Sequence, residues 1–420
     1  MNETTLNLCD AEGAEAVMVS SKHIKKGPLY TFLTQWLGYG LLTNFGPSWH
    51  HRRKLLTPAF HFKILDEFGP LLQNHAQRLV DNLADLVAKT KGPVDVVPPV
   101  SKATLGSICE TAMGVNLHAL GKEEEYFECV RIMGCSVLYR MIRPWLWRDV
   151  VFNLTQHGRE TKQAMDKLHN FTKQVIQERK RSHASTGASI LDGDGKRLGK
   201  RRLAFLDMML AAQREDPTLT DDDIRQEVDT FMFEGHETTA MAISWTLFLL
   251  GNHPEVQQRV REEAQEAGDD WQAVVALPYL EKVVKESLRL YPPVLYIARE
   301  NDRGIQIGDK WVPANVNLDL QIFMIHRDPN NFPDPDKFDP ERFSPEQERA
   351  RHPFAFVPFS GGLRNCIGRR YAMMELKIML AALVKTFSFK SVLSEKEMEF
   401  KPELVLRPKG GIVTNVTPLL

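Results

Sequence analysis

The residues best suited to chemistry lie in one run, Phe359-Ser-Gly-Gly-Leu-Arg-Asn-Cys-Ile-Gly368. Its glycines let the backbone bend tightly and approach a flat group closely. Cys366 stands where a helix-periodic stretch begins, and the N–H groups and positive end of a helix favour a thiolate there. Arg364, two residues earlier, adds positive charge. A cysteine kept as thiolate at a helix start has three common roles: nucleophile, zinc ligand or axial haem ligand. No nearby base points to a nucleophile, and no second Cys/His set points to zinc.

Other runs carry polar groups in less decisive patterns. Glu234-Gly-His-Glu-Thr-Thr239 falls in the middle of a long helix-periodic segment. A glycine and hydroxyl residues there loosen the hydrogen-bond ladder and open a groove. Glu286-Ser-Leu-Arg289 puts an acid and an arginine three apart on a helix, with Leu-Tyr-Pro-Pro after it and Pro340-Glu-Arg-Phe343 downstream. The spacing alone says nothing, since Glu178/Arg181, Glu300/Arg303 and Glu348/Arg351 repeat it. Trp49 and Arg53 lie one helical turn apart. On their own they read as a core aromatic and part of a solvated run, Arg52-Arg-Lys54.

Together these runs resemble the cytochrome P450 family. The pattern F-x-x-G-x-R-x-C-x-G, from Phe359 to Gly368, is similar to that family's haem-binding loop. The resemblance implies haem b with Cys366 as the proximal iron ligand, whose electron donation favours O–O cleavage on the opposite haem face. It makes Glu286, Arg289 and Arg342 a buried network that fixes the cysteine loop, because a buried carboxylate needs paired donors. It makes Glu237 and Thr238 the acid and threonine that deliver protons during oxygen activation, and His236 a satisfied helix histidine rather than an iron ligand. Trp49, Arg53, Arg299 and Arg364 become partners of the haem propionates, to which arginine is suited. Glu234, within Phe231-Met-Phe-Glu-Gly-His-Glu237, resembles the family-4 branch, where this carboxylate forms an ester with a haem methyl in some members. Leu56-Thr-Pro-Ala-Phe-His-Phe62 and Arg202-Leu-Ala-Phe-Leu-Asp207 resemble the same branch.

The elements that must hold these residues are mostly helices. Apolar residues recur at helical spacing over residues 64–86 and 168–176. Residues 179–202 break the pattern with Ser, Gly, Asp and many basic residues, and read as a solvated linker. Thr220 and Asp223 form a capping box, after which a long helix runs to Leu250, with Gly251 as a left-handed cap and Pro254 beyond. Short strands are expected over residues 304–307, 311–312 and 316–318, a last helix over 366–387, and a hairpin pairing 404–407 with 412–416 around Lys409-Gly-Gly411. The fold class is mainly α with small β-sheets, the cytochrome P450 fold that the resemblance implies.

Composition agrees with such an enzyme. The chain has 420 residues, 43% hydrophobic, with a net charge of −1, which excludes a general nucleic-acid binder. Five irregularly spaced cysteines make no disulfide framework and fit a reducing compartment. No signal peptide is visible, and no window reaches the roughly 18 apolar residues of a membrane span. Residues 30–42 and 136–151 mix Trp and Arg with apolar residues, which suits peripheral membrane contact. Arg369, Arg370 and Lys377 follow the cysteine and suit an acidic partner.

The resemblance covers residues 20–420, read as one catalytic domain, with residues 1–19 unrecognised. Relatives usually begin with a membrane helix, a hinge, a first helix and strands, so a shortened form is expected. Relatives sit on the cytoplasmic face of the endoplasmic reticulum, and this chain is expected to be peripheral there or cytosolic. The implied activity is a monooxygenase drawing electrons from NADPH–cytochrome P450 reductase, or from cytochrome b5. It would place one oxygen atom of O2 on a small lipophilic substrate, in this branch often a fatty acid near its terminal carbon. Two other readings stand beside it. One is a haem-thiolate isomerase or dehydratase, which in the family commonly lacks the acid–threonine pair; the other is a shortened haem-binding chain without activity.

Overall fold

Thr220 and Asp223 close the capping box that the sequence spells. The Asp223 N–H donates to Thr220 Oγ1 at 3.1 Å, and the Thr220 N–H donates to Asp223 Oδ2 at 2.9 Å. The helix that follows, Asp221–Asn252, has 32 residues and a length of about 48 Å. Ile224, Val228, Met232, Ile243, Trp245 and Leu249 are all buried along it, as expected of a helix apolar on several faces. Gly251 is not its left-handed cap. It is helical, and a Cβ there would lie 2.7 Å from the Ser391 backbone nitrogen, so close packing on the strand Phe387–Ser391 accounts for the glycine.

The computed structural model describes residues 4–117, 123–185 and 204–419. The chain divides into two compact units. The first comprises Met1–Leu29, Leu72–Thr104 and Glu237–Leu420; the second comprises Tyr30–Leu71 and Leu105–His236. The long helix supplies residues to both.

All the strands among the described residues belong to the first unit. Val316–Leu320 is the centre of a three-stranded sheet, parallel to Thr4–Leu8 and antiparallel to Ile297–Arg299. Part of the segment that the sequence leaves unrecognised thus lies in this sheet and its core. Thr4–Leu8 is a sheet strand, Asp10 caps the helix Ala11–Val19 through the Gly13 N–H at 2.7 Å, and Leu8, Ala14, Val17 and Met18 share a core with Leu318, Ile322 and Val357. The C-terminal hairpin is corrected. Leu406–Pro408 pairs with Phe400–Pro402, while Val413–Pro418 pairs with Phe387–Ser391 and Val94–Asp95. Gly410 and Gly411 both have positive φ, and together they carry the chain out of one sheet into another rather than closing a hairpin.

The described part of the second unit is helical. Phe205 packs on Phe231 with ring centroids 4.2 Å apart, and Trp36 on Phe233 at 4.7 Å. The helix Gln156–Ser185 takes in the start of the expected linker, and Arg179 there is no solvated cation: it forms a two-pronged pair with Asp207 at 2.6 and 2.7 Å. Lys196, Arg197, Lys200, Arg201 and Arg202 lie outside the described residues. The expected interfacial residues separate. Trp36 and Arg140 are buried, the latter donating to the Leu146 and Trp147 carbonyls and pairing with Asp149, so neither faces a membrane. Ile142, Trp145, Val150 and Leu154 are exposed.

Candidate active site

The cysteine loop is built from below by a chain of buried polar contacts. On the helix Pro278–Leu290, Arg289 donates to both Glu286 oxygens, at 2.7 and 2.9 Å, with both side chains wholly buried. The Asp339 N–H adds a third donor at 2.8 Å, and Arg342 Nε stands 3.5 Å from Glu286 Oε1. Burial pushes the Glu286 carboxyl up from its ordinary value, and Arg289, the Asp339 N–H and Arg342 oppose that. The three residues expected to form a network thus come together. Arg289 also donates to the carbonyls of His326, Pro335 and Lys337, so it fixes the segment that leads to Pro340–Phe343.

His326 continues the chain toward the cysteine. The Val357 N–H donates to His326 Nε2 at 2.9 Å, and the Ser360 N–H donates to the Val357 carbonyl at 3.0 Å. Burial, with the Arg289 and Arg327 charges, lowers the His326 imidazole to about 3, so its ring nitrogen stays an acceptor. No sequence pattern marks this residue, because a lone histidine has no spacing partner to reveal it.

At the loop itself the Cys366 N–H donates to the Phe359 carbonyl at 2.9 Å, which closes the turn. Ser360 and Gly362 have positive φ. A Cβ on Gly362 would overlap the Met18 carbonyl oxygen, so the helix Ala11–Val19 abuts the loop directly. The helix Arg369–Thr386 starts three residues after Cys366, with Gly368 at its N-cap. The Cys366 side chain is exposed.

Two of the expected propionate partners converge on one short segment. Arg364, nearly buried, donates through Nε to the Ile24 carbonyl at 2.8 Å. Arg299, also buried, forms a backbone β-bridge with Lys26, and the Glu300 N–H donates to the Lys25 carbonyl at 3.0 Å. The other two share the helix Gly46–Leu56, where Trp49 is buried with its Nε1–H on the Leu41 carbonyl at 3.1 Å and Arg53 is half-buried. Arg52 beside them is not solvated: it pairs with Glu227 at 2.9 Å and with Asp223.

On the long helix Glu234 is exposed and Thr238 half-buried, four residues apart and so on one face. Glu237 points elsewhere. It is buried and paired with Arg407, rather than standing beside Thr238 on the open face. His236 is buried, its Nδ1 within 2.6 Å of the Met232 carbonyl. Lys377 is buried on Glu281 at 2.6 Å and the Val275 carbonyl, so it is withdrawn from any docking face, while Arg369 and Arg370 stay exposed.

The comparisons agree with this geometry. A protein-family model described as Cytochrome P450 matches residues 1–415. Cytochrome P450 4c3 of Drosophila melanogaster is 41% identical over 429 residues, covering 98% of this chain and 79% of the relative. Cytochrome P450 4V2 of Homo sapiens is 41% identical over 414 residues, 96% of this chain and 78% of the relative. Cytochrome P450 4c21 of Blattella germanica is 38% identical over 414 residues, 97% of this chain and 82% of the relative. The residues present fit an iron porphyrin. One accessible thiol sits in a glycine-lined loop with two nearly buried arginines in the same unit, and among the described residues no group of three or more His, Cys, Asp or Glu forms a rival metal site.

Proposed function

Because the chain belongs to the cytochrome P450 family, and is a monooxygenase with haem b as its cofactor, we propose that it hydroxylates a fatty acid or related lipid near the terminal carbon, with electrons from NADPH through a flavoprotein reductase. Haem b, when bound, supplies the iron on which dioxygen is reduced and split. The residues have separate tasks around it. Cys366 would ligate the iron, and Arg299, Arg364, Trp49 and Arg53 would hold the propionates. Phe359 and Gly368 shape the turn around the sulfur. Thr238 and Glu237 bring protons from water, and Glu286, Arg289 and Arg342 keep the loop rigid. Glu234 would link to a haem methyl as an ester; its exposure on the face it shares with Thr238 supports this. Exposed Ile142, Trp145, Val150 and Leu154 would rest on a lipid surface, from which a long-chain substrate is drawn.

The observation that carries the reading is the cysteine loop, seated through His326 on the buried Glu286–Arg289 pair. The reduced protein with carbon monoxide should give the red-shifted band of thiolate-ligated iron, and Cys366→Ala should abolish it. A folded, haem-loaded protein without that band overturns the site. With the band intact, reductase, NADPH and a series of saturated fatty acids should give terminally hydroxylated products; no product from any of them overturns the substrate class. Acid–acetone extraction should leave haem on the protein, and Glu234→Ala should release it.

A further inference from the structure

We propose that Glu227 on the long helix is a positioning residue for the haem propionates, acting through Arg52 and Leu41. The proposal rests on the reading of Trp49 and Arg53 as propionate partners and supplies what holds them. Every residue in it belongs to the second unit.

The helix Gly46–Leu56 carries Trp49 and Arg53 four residues apart, so they share a face. Arg52 stands about 100° around the helix from Arg53 and turns to the long helix instead. It is buried, donates through Nη1 to Glu227 Oε1 at 2.9 Å, and pairs through Nη2 with Asp223. The two acids are also four residues apart on one helix face, and suit the two prongs of one guanidinium. Glu227 is wholly buried. Its other oxygen, Oε2, accepts the Leu41 N–H at 2.9 Å, and the Leu41 carbonyl accepts the Trp49 Nε1–H at 3.1 Å. One carboxylate therefore holds the segment from Leu41 to Arg52 at both ends, and the indole between them.

The chain just before Leu41 lies on the same stretch of the long helix. The Tyr39 N–H donates to Gln226 Oε1 at 2.8 Å. A Cβ on Gly40 would stand 2.7 Å from the Gln226 carbonyl oxygen, so the backbone rests on the helix with no room for a side chain.

The consequence follows from charge and burial. Burial pushes the Glu227 carboxyl up from its ordinary value, while the Arg52 guanidinium and the Leu41 N–H oppose that. Taking the carboxylate away leaves a buried guanidinium and a buried amide N–H short of an acceptor. The helix Gly46–Leu56 then shifts to resolve them, and Trp49 and Arg53 move with it. Arg52 spends its charge on the long helix, and Arg53 is the cation presented to the propionates.

Three readouts test this: amide hydrogen exchange of the haem-free chain, haem release to apomyoglobin, and the haem reduction potential. Glu227→Gln sets an NH2 group against Arg52 or the Leu41 N–H. Exchange over residues 38–45 should quicken several-fold, haem should leave several-fold faster, and the potential should fall, because a displaced Arg53 no longer offsets the propionate charge. The sign separates positioning from plain electrostatics, since loss of a negative charge near the haem would by itself raise the potential. Arg52→Lys keeps the net charge but loses the two-pronged hold, so it should give the same three changes, and it carries the test if Glu227→Gln does not fold. In an Arg53→Gln background neither substitution should lower the potential further. If Arg53→Gln alone leaves haem release and potential unchanged, the propionate reading fails. If Arg53→Gln changes them, but Glu227→Gln and Arg52→Lys keep wild-type release with an unchanged or raised potential, or lower it equally in the Arg53→Gln background, the positioning role fails.

Discussion

Glu286 shows what a motif conveys and what it leaves out. Its spacing to Arg289 is shared by several other Glu/Arg pairs, and only the flanking prolines and Arg342 mark it out. The structure gives it two guanidinium contacts and a backbone N–H, with no water-facing surface. Glu286→Gln leaves two buried guanidinium groups short of their counter-charge, and should cost about 3–5 kcal/mol. Urea unfolding and haem retention both report that loss; an unchanged midpoint would mean the pair is dispensable. His326 is the opposite case. Nothing in its sequence neighbourhood announces it, because its role lies in accepting one N–H from residue 357, a contact that only the fold creates. Its imidazole is lowered from 6.5 to about 3 in the fold. Between those values the unfolded chain binds a proton that the native state refuses, so stability is complete above about pH 6.5 and falls as pH drops through the window. His326→Gln removes this titration. The difference in urea midpoint between about pH 5 and about pH 7 should therefore shrink in the variant.

The helix Ala11–Val19 and the cysteine loop meet at Gly362, and the contact leaves no room for a side chain. Gly362→Ala adds a methyl where the Met18 carbonyl already lies, on a backbone at φ +62°. The thiolate band should be lost or shifted while helical circular dichroism stays. Gly268→Ala is the control: its φ is +66°, but nothing lies within 4 Å, so it carries the strain of about 1 kcal/mol without the collision. Equal effects from both would place the cause in backbone strain and not in the contact. The same region shows why some elements could be read in advance. The long helix carried a capping box and sustained apolar spacing, signals contained within one segment. Thr4–Leu8 is a five-residue strand whose reason for being a strand is the partner Val316–Leu320, more than three hundred residues away. The C-terminal strands failed the same way. Two short apolar runs around Gly410 and Gly411 look like a hairpin, but their partners lie at Phe400–Pro402 and Phe387–Ser391.

A net charge of −1 gives the whole chain no general attraction to an anionic surface. No described helix is long and apolar enough to cross a bilayer. One short stretch is nonetheless strongly apolar and open: Ile142 and Trp145 are 68% exposed, Val150 76% and Leu154 74%. Composition does not separate inward from outward residues here, since Trp36 and Arg140 share the composition and not the exposure. Arg143 stacks on Tyr139 at 3.8 Å, so it extends a flat aromatic surface rather than acting as a lone cation. The stretch is held in place from beneath: Arg140 pairs with Asp149 and caps the Leu146 and Trp147 carbonyls, which fixes the turn that projects Trp145. Inserted to headgroup depth, each large side chain would contribute about 1 kcal/mol or more, a part of the value for full burial. Trp145→Ser with Leu154→Ser should therefore weaken partitioning onto neutral phosphatidylcholine vesicles on the order of tenfold or more. Carbon monoxide binding should be untouched. Because the attraction is apolar, raising the salt concentration should change wild-type partitioning little. Partitioning that survives the double substitution, or that salt alone abolishes, would assign the contact to a charged surface instead.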